Sequence, residues 1–186
     1  MKRTALVLAL ALVLPGCVAF VAGAATGGMV VYEKRNVQTI SDDTQIRHQV
    51  ALKIKADLDF KDSHIAVASF NRVVLLVGEV PQASLREQAE KLARQVPKIK
   101  AIYNEIKVKH PISALSEAND SWITTKIKTQ MLATNDLKSG LIKVVTEDAN
   151  VYLMGKVTHH QADIAVDIAR QVSGVQRVVK VFEYEK

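Results

Sequence analysis

"VVLLVGEV" (73–80) and "NVYLMGKV" (150–157) are two versions of one strand. Gly78 and Gly155 stand 77 residues apart, and the same spacing separates Asp43 from Asp120 and Ile46 from Ile123. "ARQV" at 93–96 returns at 169–172, a spacing of 76, so the second copy is one residue shorter ahead of that motif. One spacing shared by separated motifs marks a duplication, and a period of nearly eighty residues is too long for a solenoid. Two small domains are expected, 42–110 and 119–186, joined by the linker "PISALSEA" at 111–118.

Within each copy the hydrophobic period changes in a fixed order. Ile46, Val50 and Ile54 recur every four residues, as do Ile123, Ile127 and Met131, which predicts a helix in each case. Asp43 and Asp120 are the expected acidic caps. A short strand follows ("HIAVAS", "LIKVVT"), then a turn, then the glycine-bearing strand. A second helix is expected over about 82–95 and about 159–172, before a closing strand. The fold class is α/β, an α+β sandwich. Each domain runs α-β-β-α-β, with a small three-stranded mixed sheet packed on two helices. Gly78 and Gly155 lie inside strands, where a bulge or a close backbone approach is the usual reason for glycine. No Gly-rich loop with a following Lys-Ser/Thr accompanies them, so they are structural and do not cradle phosphate.

The chain of 186 residues is 48% hydrophobic but only 5% aromatic, so its core must be Val, Ile, Leu and Ala. The net charge of +6 is mildly basic and comes with no long Lys/Arg run or aromatic-interleaved basic stripe, which argues against a nucleic-acid partner. Met1-Lys2-Arg3 and the apolar run "ALVLALALVL" (5–14) form a secretory signal, too short to span a bilayer, and residues 1–16 are set aside as a signal peptide. The sole cysteine, Cys17, directly follows in "LPGC". That resembles the lipobox of bacterial lipoproteins, which implies an acylated (palmitate-bearing) Cys17 as lipid anchor. Val18 follows it where an Asp would imply inner-membrane retention, so the resemblance implies the outer membrane. The segment 17–41 is apolar, Gly/Ala-rich and expected to be flexible or membrane-hugging.

Two α-β-β-α-β copies, the "V-x-L-x-G-x-V" strand and an export signal together resemble the BON-domain family of periplasmic and outer-membrane proteins. "NDSWITTKIKTQML" (119–132), "VYLMGKVT" (151–158) and "DIARQVSGVQRV" (167–178) are similar to the second domain of dual-BON outer-membrane lipoproteins. "VLLVG" (74–78) and "IYNEIKVKHPI" (102–112) are similar to their first domain and linker. The resemblance implies a non-enzymatic lipoprotein facing the periplasm. Its second domain would bind anionic phospholipid and support outer-membrane integrity. It also implies concentration at cell-division sites and association with the β-barrel assembly machinery.

The residues themselves point to one helix face. With Trp122 set at 0° and an advance of 100° per residue, Ile123, Ile127 and Met131 fall at about 100°, 140° and 180°. Trp122, the only tryptophan, therefore lies on the outward side. Lys126, Lys128 and Leu132 share the outward surface, and no acidic residue falls between Ser121 and Leu132. An indole, a leucine and two ammonium groups suit an anionic lipid surface. At the same positions the first copy has Gln45, Gln49 and Ala51, so the fold alone does not require the tryptophan. The alternatives are that Trp122 packs on the linker, the other domain or the apolar segment, or that it meets a protein partner. In the last case the chain would be a periplasmic adaptor for barrel-assembly or cell-wall and division enzymes. Leu137 extends the patch, or, since it aligns with Phe60, belongs to the core.

Catalysis finds no support in the sequence. His48, His64, His110, His159 and His160 form neither HExxH nor a Cys/His cluster, so no metal or other cofactor is expected. His159-His160 reads as a solvated turn. Asp57, Asp59, Glu147 and Asp148 read as solvated acidic pairs, and no nucleophile motif is present.

Overall fold

Residues 36–111 and 113–185 are described by a computed structural model. The signal peptide and Cys17 lie outside the described residues. The first domain comprises helix α1 (Val37–Ala56), strands β1 (His64–Phe70) and β2 (Val73–Val80), helix α2 (Ala83–Arg94), and strands β3 (Ala101–Asn104) and β4 (Lys107–Val108). The second comprises α3 (Ala114–Ala133), β5 (Ile142–Glu147), β6 (Asn150–Val157), α4 (His159–Gln171) and β7 (Arg177–Tyr184). Each is the expected α-β-β-α-β unit. The closing strand of the first copy is interrupted, and its two pieces pair with the two halves of β2.

Each sheet is mixed. β1 and β5 run antiparallel to the central strands β2 and β6, and β3, β4 and β7 run parallel to them. The expected helical stripes are buried. Ile123 and Ile127 are fully covered, Met131 nearly so, and Ile46, Val50 and Ile54 occupy the same places in the first copy. Fully burying one such side chain stabilises by about 1.5–3 kcal/mol.

The helices begin earlier than the sequence pattern predicts. Asn36 caps α1 by accepting a 2.9 Å hydrogen bond from the Gln38 amide, and Ser113 caps α3 through the Ser116 amide. Residues 37–41 and 114–118, expected as tail and linker, are therefore helical. Asp43 and Asp120 are not caps. Each sits inside its helix, only 6% exposed, and faces the tight turn between the two antiparallel strands. Asp120 accepts from the amides of Asp148 and Ala149 at 2.7 and 2.8 Å. Asp43 accepts from the amides of Asn71 and Arg72 at 2.9 and 2.7 Å and from the Ser69 hydroxyl. All four turn residues adopt positive φ, between 50° and 66°, without a glycine among them. Such a turn aims two amides the same way, and a buried carboxylate opposite them satisfies both.

The glycines behave as expected. A Cβ on Gly155 would lie 2.6 Å from the Leu141 carbonyl oxygen, and one on Gly78 would collide with the matching carbonyl of His64. Gly78 also has φ +122°, which disfavours any side chain.

The helices cover only one face of each sheet. In β2, Val74, Leu76 and Val80 enter the helix-covered core of the first domain, while Val73, Leu75 and Val77 point to the other face. There they meet Tyr152 and Met154 of β6 and Val181 of β7 in a third apolar cluster shared by both domains. The two sheets are packed back to back, and both central strands are buried on both sides.

Candidate functional site

Helix α3 presents two contrasting faces. Its inner stripe is sealed, whereas Trp122 is 51% exposed, Leu132 69% and Leu115 81%. Leu115 falls at about 20° on the wheel that places Trp122 at 0°, two turns toward the N-terminus. The row from Leu115 through Trp122 to Leu132 is about 25 Å long at 1.5 Å per residue. Leu115 escaped the sequence reading because it fell in the supposed linker. The signal that finds it is the Ser113 cap, with Glu117 in the first turn of a helix that opens there.

The polar groups on this side are largely satisfied within the helix. Thr125 Oγ1 donates to the Ser121 carbonyl and Thr129 Oγ1 to that of Thr125, both at 2.9 Å. This local back-bonding takes hydroxyl donors away from the surface. Lys126 and Lys128 are exposed, and among the described residues neither forms an ion pair. Elsewhere several lysines are matched: Lys98 with Asp42 at 2.8 Å, and Lys107 and Lys109 with Asp148 at 2.8 and 2.7 Å. Lys98 holds the Asp42 carboxyl below its ordinary value. Helix α3 thus combines uncompensated positive charge with exposed apolar groups.

The equivalent positions on α1 lack this character. Gln38, Gln45 and Lys55 stand where Leu115, Trp122 and Leu132 stand, 77 residues on. The buried stripe is the same in both helices, so the difference is confined to the outward side.

Leu137 does not belong to the patch. It is 6% exposed and lies in the second domain's core, as Phe60 does in the first. After α3 the chain turns inward and is tied to α4. The Lys138 amide donates to Gln161 Oε1 at 3.0 Å, and Gln161 Nε2 donates to the Asp136 carbonyl at 2.7 Å. His159 and His160 do not form a turn either. They open α4 behind the Thr158 cap, and the His159 ring stacks on Tyr184 at 4.0 Å. Glu147 is not solvated surface: it is 7% exposed at the junction of the domains. Among the described residues no group of three His, Cys, Asp or Glu side chains could hold a metal ion, and no helix is long and apolar enough to cross a membrane.

The BON domain family matches this chain twice, over residues 42–110 and 119–186. The chain belongs to the BON-domain family. The chain is 36% identical to the outer membrane lipoprotein DolP of Haemophilus influenzae, over 99% of this chain and 96% of that protein. It is 39% identical to a 21 kDa hemolysin of Actinobacillus pleuropneumoniae, over 82% of this chain and 79% of the relative. Osmotically-inducible protein Y of Escherichia coli is 30% identical over 82% of this chain and 77% of its own length. Within this BON-domain chain the repeat supplies the scaffold twice, and only the second copy carries the exposed Trp122 row.

Proposed function

We propose that this BON-domain protein is a non-enzymatic lipoprotein of the outer membrane, anchored through Cys17. On this reading its second domain docks on anionic phospholipid at the periplasmic face and supports envelope integrity there. The name of the Haemophilus relative supports the location. The observation that carries the docking reading is the half-exposed Trp122 on a face where the first copy has Gln45.

Trp122 sits at headgroup depth, with its ring on hydrocarbon and its N–H wet. Leu115 and Leu132 add apolar area on either side of it. Lys126 and Lys128 each contribute about 1 kcal/mol near an anionic surface. Contact of this strength is weak for a free domain. The acyl anchor keeps lipid at high effective concentration around the helix, so weak contact suffices.

The test is co-sedimentation of the unacylated chain with an excess of vesicles, so that the anchor does not carry the protein down. Trp122→Glu abolishes sedimentation with phosphatidylglycerol vesicles while the circular dichroism spectrum stays unchanged. Undiminished binding by that variant overturns the reading. In that event the same face is left as a contact for a protein of the barrel-assembly or division machinery, to be sought by crosslinking at residue 122.

A further inference from the structure

Where the two domains meet, a cleft of about 420 Å³ opens between the start of β1 and the side of α3. Its wall includes Glu117, Ser121 and Thr124 of α3, Thr146 and Glu147 of β5, and His64 of β1. Glu147 forms the floor. Its side chain is 9% exposed, and its Oε1 atom has no hydrogen-bond donor. The nearest cationic candidate is His64 Nε2 at 3.7 Å, beyond hydrogen-bonding range, and His64 Nδ1 stands 4.0 Å from Glu117 Oε1. Glu117, 52% exposed, marks the rim. Asp120 also borders the cleft, but both its oxygens are already engaged by the amides of the β5–β6 turn.

We infer that this cleft binds a primary ammonium or guanidinium group at the end of a slender chain. The charge at rim and floor is negative, and the floor carboxylate has an acceptor atom pointing at no donor. The hydroxyls between rim and floor supply further acceptors. A cation rich in N–H donors satisfies all three features, and charge-assisted bonds to a buried carboxylate are the strong kind. No aromatic ring other than His64 lines the cleft, so it lacks the cage that recognises quaternary ammonium. The carboxylates are also not gathered as metal ligands.

The electrostatics of the floor agree. Burial pushes the Glu147 carboxyl up to about 7, and Glu79, Asp120, Glu117 and Asp148 reinforce the shift. Glu79 lies behind it on β2, with Lys109 4.0 Å from its Oε1. Lys109 in turn pairs with Asp148 at 2.7 Å, so this lysine is already shared between two other carboxylates. Binding therefore strengthens as pH rises from 6 to 8, where Glu147 loses its proton.

The test is a nuclear magnetic resonance titration of the full-length protein in nonionic detergent. The probes are 1,4-diaminobutane, N-acetyl-lysine methylamide and N-acetyl-arginine methylamide, with tetramethylammonium as control. Saturable shifts are expected at the amides of Thr124 and Thr146 and at the His64 ring, tighter at pH 8 than at pH 6. Glu147→Gln weakens binding about tenfold, as loss of one charge-assisted contact does. The exposed variant Glu117→Gln, which cannot disturb the core, weakens it less. Tighter binding of the amino-acid amides assigns the guest to a basic side chain of a protein, and tighter binding of the diamine assigns it to a free polyamine. The inference fails if Glu147→Gln with native circular dichroism binds as well as the parent. It also fails if tetramethylammonium gives the same shifts, or if no probe saturates. None of these outcomes depends on lipid binding by Trp122.

Discussion

A carboxylate buried in a helix interior is costly unless something on another element needs it. Asp120 meets that condition by accepting both amides of a turn whose residues hold positive φ. Asp120→Ala leaves those amides without their acceptor and destabilises the chain by about 2–3 kcal/mol, read as a lower urea midpoint at unchanged m-value. Asp120→Asn retains one acceptor and loses less. Glu147 shows the opposite balance. Its folded value of about 7 exceeds the ordinary 4.5, so folding favours its protonated form. The penalty for burying it charged is full above pH 7, shrinks as pH falls, and vanishes below 4.5. Glu147→Gln is accordingly more stable than the parent at pH 8, by up to about 3 kcal/mol, and equal to it at pH 4. Thermal melts at the two pH values check this. The sequence marks Asp43 and Asp120 through their shared spacing but misassigns their role. A cap and a turn clamp both begin with an aspartate near a helix start, and only the tertiary fold shows what its oxygens face. Glu147 beside Asp148 looks like a solvated pair because nothing in the linear sequence says which residues of the other domain lie against the end of β5.

At the scale of elements, the orientation of α3 was legible because the stripe of Ile123, Ile127 and Met131 leaves one direction for the core and puts Trp122 opposite. Its length was not, since Pro111 and the short polar residues after it resemble a linker. Leu137 was ambiguous for a physical reason. A leucine just past a helix end can continue outward or fold under, and the Gln161 bridge that folds it under comes from a distant part of the chain. Reversing the free charges, Lys126→Glu with Lys128→Glu, lowers binding to anionic vesicles at least tenfold at low salt. Binding by the parent also weakens as salt is raised, because exposed charges are screened beyond about 10 Å at 0.1 M. Sedimentation across a salt series measures both effects.

At the scale of the molecule, the sequence reading covers each sheet on one side with its helices and leaves the other side open. The run "VVLLV" carried the missing information, because a strand without polar alternation is one buried on both faces. A fragment spanning 36–111 exposes Phe70, Val73, Leu75 and Val77, which the whole chain covers with Tyr152, Met154 and Val181. That fragment is expected to self-associate on size-exclusion chromatography and to bind a hydrophobic dye, whereas the whole chain melts in one transition.

The contact between the sheets draws on matching places in both copies: Leu75 corresponds to Tyr152, and Val77 to Met154. Using the same patch on each partner is the hallmark of isologous association. The tandem chain is in effect a homodimer written as one polypeptide. Holding both copies in one polypeptide removes the concentration dependence of that union, and the outward face of one copy differs from the other while the shared contact is kept.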